Sequence, residues 1–175
     1  SGVLGYKIPV IASYSGEGDD DIPHLLKTRS PAVWVAYSGE DATDNSKDVN
    51  AYFSLIVYVR NNKSENAARE GSLNHAGAYQ LINDIKKLLI KQDLGLPIEP
   101  FTFIEAKPII NARLEKYYTT MFGLRFKHFI RSRLPANRIR SWMISCVSKA
   151  NGQSDRLSMK FHLTLTRSNP CLKFL

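Results

Sequence analysis

A chain of 175 residues is long enough to bury one core without disulfide or metal staples, and its 43% hydrophobic and 23% charged content is that of a folded globular domain. The net charge of +8 is unevenly spread: residues 1–100 carry 10 Lys+Arg against 13 Asp+Glu (−3), and residues 101–175 carry 14 against 3 (+11). No run approaches the ~18 apolar residues of a membrane span, and the apolar stretch Ile8–Ala12 is too short for a signal peptide, so a soluble cytoplasmic protein is expected. The two cysteines, Cys146 and Cys171, form no CxxC pair and are expected to be reduced.

In chain order, Ser1–Ser30 mixes Gly, Asp and Pro and reads as mostly irregular, with Gly16–Asp21 a solvated turn. Its three adjacent aspartates lack the alternate spacing of a calcium loop and read as plain surface. Pro31–Tyr37 is the first strand, apolar on both faces. Ser38–Asn50 holds four acids among Gly, Ser, Thr and Asn and reads as a mobile loop. Ala51–Arg60 alternates as a second strand, which predicts an antiparallel pair with the first.

A helical stretch follows Ser64 and extends to about Lys91, its apolar face formed by Leu81, Ile82, Ile85, Leu88 and Leu89. Gly71 and Gly77 weaken its first third, which predicts a turn or a bent entry there. Gly95 and Pro97 end it. Phe101–Ile110 reads as a third strand that Pro108 confines to an edge or bulge. Tyr117–Arg131 is the fourth and longest, with Arg125 and Lys127 on the face opposite Leu124, Phe126 and His128. Beyond Pro135, Ile139, Trp142, Met143, Cys146 and Val147 recur as in a short helix, and Met159, Phe161, Leu163 and Leu165 alternate as in a strand. The expected fold is α+β: a mostly antiparallel or mixed four-stranded sheet with one long helix packed on it. This domain spans 1–132, and a basic helix/strand extension over 133–175 packs on it or on a neighbour.

No nucleophile elbow, dinucleotide loop, P-loop or metal-protease motif occurs, and His24, His75, His128 and His162 fall on four separate elements. No catalytic, cofactor-binding or metal-binding residue is therefore nominated, and a non-enzymatic protein is expected. His128 reads as an ordinary strand histidine. Arg125, Phe126, Lys127, His128 and Phe129 combine cations with rings, the ingredients of a single-strand nucleic-acid surface. They form no RNP1, KH or helix-turn-helix pattern, so a nucleic-acid-binding accessory protein using the basic half is the alternative function.

Ile8-Pro9-Val10, Tyr14-Ser15-Gly16-Glu17, the Pro31–Tyr37 strand with Ser38-Gly39, then Gly71, Gly77-Ala78-Tyr79-Gln80-Leu81-Ile82, Leu88 and Leu94–Ile98 form an ordered series. Over residues 8–131 this series is similar to the Mu-like prophage tail-region proteins, which are related to lambda-type tail terminators. The resemblance implies a small α+β subunit assembling into a ring, expected to be a hexamer. Such a ring caps the tail tube, joins it to the head through connector proteins, and ends up in a virion or tail-like particle. The family's leading helix has no counterpart here, and segment 133–175 matches none of its features.

Overall fold

A computed structural model describes residues 4–16, 22–44, 48–72, 75–91, 99–131 and 136–152. The aspartate run at 19–21, the stretch 92–98 with its helix-ending Gly95 and Pro97, and the strand expected at 159–166 lie outside them.

The fold is α+β, built among the described residues on a mixed sheet of five strands rather than the four expected. Strands β2 (Ala32–Ala42), β3 (Asp48–Asn61), β7 (Tyr117–Arg131) and β6 (Thr102–Leu114) lie side by side in that order, each pair antiparallel. The fifth strand is β1 (Val10–Ser13), which pairs in parallel with β2 from Val10↔Ala32 to Ser13↔Val35. It falls in the segment read as irregular. Four residues are too few to display an alternation, and their parallel partner is reached only after a crossover that includes helix α1 (Ile22–Lys27). β6 takes the edge expected of a Pro-containing strand, and its register with β7 slips between Pro108 and Ile110.

The helical stretch expected from Ser64 to about Lys91, with a turn or bent entry at Gly71 and Gly77, is two helices separated at those glycines. α2 (Glu65–Arg69) is capped by the Ser64 side chain, which accepts from the Ala67 amide, and α3 spans Ala78–Leu89. Between them β4 (Gly71–Ser72) and β5 (His75–Ala76) form a minimal antiparallel hairpin. α3 buries Leu81, Ile82, Ile85 and Leu89 against Phe53, Leu55, Val57, Leu124 and Phe126 of the sheet, with Leu88 at the flank. Met143, Cys146 and Val147 of α4 (Ala136–Ala150) join the same core. The buried Asn151 side chain then closes this helix onto the start of the chain: it accepts from the Ile8 amide (2.5 Å) and donates to the Ile8 carbonyl (2.8 Å). On the opposite face, Leu25 of α1 packs with Trp34, Tyr58 and Met121 in a smaller cluster. Cys146 is disulfide-bonded, contrary to the reduced thiol expected, and the other cysteine, Cys171, lies outside the described residues.

Candidate assembly surfaces

The segment 38–50, expected as a loop, is mostly paired strand. β2 and β3 continue past the core as a hairpin arm, with Glu40↔Ala51, Asp41↔Asn50 and Ala42↔Val49 in register. A register shift between Tyr37 and Glu40, at Gly39 with φ +100°, lets the strand pass through a bulge that composition alone reads as a break. The Thr43 amide and hydroxyl both donate to the Asp48 carbonyl, at 3.2 and 3.1 Å, and narrow the hairpin near its end. Tyr37 donates its hydroxyl to Glu40 at 2.8 Å, and the Ser38 and Ser54 hydroxyls lie 2.7 Å apart across the strands. The arm therefore presents Glu40, Asp41 and Asp44 to solvent on ordered backbone.

The basic strand residues lie beside the arm's root. Arg125 sits opposite Ser54, its guanidinium carbon 4.7 Å from the centre of the Tyr52 ring, and Lys127 sits opposite Tyr52. A hydrogen bond to Asp41, followed by burial, holds the Tyr52 hydroxyl above its ordinary pKa. Both cations are half-buried, so this surface is a mixed-charge patch rather than an open basic stripe.

At the other end of the same two strands is a cleft of about 350 Å³ that no sequence motif announced. Arg29 enters it from the segment between α1 and β2, Arg60 from the end of β3, Lys63 from the turn before α2, and His75 from β5. Arg60 is fixed: it donates to the Leu26 carbonyl, stands 4.5 Å over the Tyr117 ring, and its backbone amide donates to Ser30 Oγ at 2.9 Å. Arg29 and Lys63 are exposed, and no Asp or Glu among the described residues lines the cleft. The arrangement suits an anion: one cation anchored by a ring and a carbonyl, and two exposed cations at the rim.

The three described histidines do not converge. His24 is on α1, His75 lines the cleft, His128 is in the sheet, and His162 is outside the described residues. No group of three His, Cys, Asp or Glu able to hold a metal occurs among the described residues. His128 is fully buried, its ring 4.8 Å from that of Phe101. Burial pushes its pKa down to about 4, against a weaker pull from Glu99 toward the charged form.

The sign of the pH effect follows. The unfolded chain binds this proton near pH 6.5 and the folded chain only near 4, so His128 supports folding above the first value and that support is lost between them. Stability should fall on acidification across this window by on the order of 2 kcal/mol and level off below it. Urea unfolding of wild type and His128→Phe checks this. A pH slope unchanged by the substitution would assign the effect to other groups.

No curated protein matches the chain. The family model described as Bacteriophage Mu, Gp37 matches residues 1–129, a span that holds the cleft, the acidic arm and all but the last two residues of β7. The chain therefore belongs to the Bacteriophage Mu Gp37 family.

Proposed function

We propose that the protein is a non-enzymatic tail assembly subunit, a terminator that closes head-to-tail into a ring, with a hexamer expected. The ring would cap the tail tube and join it to the head. Membership of a phage family over residues 1–129 carries this reading. The charge distribution supports it, because a subunit of a closed cyclic ring meets its two neighbours through two different surfaces. Exposed charge pairs contribute little, so apolar parts of each contact supply most of the affinity and salt weakens assembly only in part.

The basic half, with net +11 over residues 101–175, favours one competing function, nucleic-acid binding. Displaced counterions would then make affinity fall steeply with salt. Light scattering across salt concentrations, with duplex and single-stranded DNA titrated in parallel, separates the two. A mass near six subunits with negligible DNA affinity is expected. A strict monomer with tight, salt-sensitive DNA binding would reject the ring.

A further inference from the structure

We propose that the acidic end of the β2–β3 arm of one subunit docks into the basic cleft of the next copy of the chain. The proposal rests on the ring reading and specifies its contact.

Three observations carry it. The first is placement. The arm's end and the cleft cap opposite ends of the same strand pair, from Ala42↔Val49 at one to Ala32↔Tyr58 at the other. Ten residue steps of strand separate them by about 33 Å. Displacing a copy along the strand direction, with the rotation that a closed ring requires, carries its arm toward the neighbour's cleft, a heterologous contact that each further subunit repeats.

The second is uncompensated charge of matching number. Arg29, Arg60 and Lys63 face the cleft with no carboxylate among the described residues of its lining, and Glu40, Asp41 and Asp44 project from the arm. No ion pair within the chain neutralises any of these six among the described residues. The third is order. The arm is paired backbone as far as Ala42↔Val49, and the Arg60 head is held by Leu26 and Tyr117, so these parts lose little freedom on docking. A polyanion such as nucleic acid offers the same charge. The carboxylates are favoured because the chain itself supplies them, at the end of the molecule a head-to-tail neighbour would present.

The test uses two full-length variants. The arm variant is Glu40→Lys with Asp44→Lys, and the cleft variant is Arg29→Glu with Lys63→Glu. Arg60 is left intact because it also holds β3 to α1. Each variant alone sets like charges against each other and should self-associate at least tenfold more weakly than wild type at low salt. An equimolar mixture restores opposite charges at every contact of an alternating ring, so it should regain the wild-type mass.

Either variant keeping the wild-type mass on its own overturns the docking and leaves the ring intact. So does a mixture that fails to assemble while both variants retain the wild-type Tm. A wild type that stays monomeric at every concentration fails the ring reading, and the docking with it. Labelled single-stranded DNA is the remaining probe: binding lost in the cleft variant but kept in the arm variant would make the cleft a polyanion site and overturn the docking.

Discussion

Phe53→Ala is expected to lower unfolding free energy by about 3–5 kcal/mol, the cost of deleting a fully enclosed ring whose neighbours cannot collapse into the space. Phe53 lies at the centre of β3 with no solvent exposure. Its ring meets Tyr37 on one neighbouring strand at 5.6 Å and Phe101 edge-on at 6.4 Å, and Phe126 is its register partner on the other side. These contacts tie β2, β7 and the approach to β6 together at one point, so the cavity would be walled by three strands and not by one flexible loop. Ile104, 42% exposed on the edge strand, serves as the control: truncating it should change stability by less than about 0.5 kcal/mol. Chemical denaturation of both variants checks the contrast. A Phe53→Ala loss under about 1 kcal/mol would mean that the face read as core is not tightly packed.

That core was legible because its signals are local and periodic. The alternation in Ala51–Arg60 and Tyr117–Arg131 and the helical spacing of Leu81, Ile85 and Leu89 each report burial within a few residues of chain. Pro108 likewise marked the edge, since a residue without an amide hydrogen is poorly placed in a central ladder. What escaped depends on partners distant in sequence. β1 is recognisable only beside β2, and the arm at 38–42 and 48–50 has the Gly, Ser and acid content of a loop while its backbone is held by cross-strand bonds.

The cleft was hidden for a different reason. Arg29, Arg60, Lys63 and His75 all lie in the half of the chain whose net charge is −3, so a segment sum pointed away from them toward Arg125 and the residues beyond. Charge along a sequence and charge on a surface are different quantities once a hairpin and two helix ends converge. The docking test above therefore bears on residues 29–75 rather than on the basic segment the composition singled out.

Gly77→Ala separates the observed break from a continuous helix over residues 65–89 with opposite signs. Two glycines inside a continuous helix would predict a gain of about 1 kcal/mol on replacing one with alanine, the better helix former. The structure puts Gly77 elsewhere, as the residue that caps α3, with φ −87° and ψ 168°, a backbone that any residue adopts. The obstacle is space. A Cβ there would run into the main-chain atoms of Arg69, Glu70 and Gly71, none of which can swing aside as a side chain could. Gly71 faces it across the β4–β5 hairpin with φ +93°, and a Cβ on that residue would meet the Gly77 nitrogen and His75 oxygen at 2.7 Å.

The two glycines thus let the end of α2 pass against the start of α3. Alanine at 77 must push apart the backbone that seats His75 and Ser72 at the cleft. The expected loss is about 3 kcal/mol, the upper part of the range for forced overpacking. Gly5→Ala, with nothing within 4 Å of the added carbon, meets only the strain of φ +71°, and should lose roughly 1 kcal/mol. Thermal and urea unfolding of the two variants give the comparison. Stabilisation by Gly77→Ala would mean that residues 65–89 form one continuous helix and that the hairpin lining the cleft does not exist.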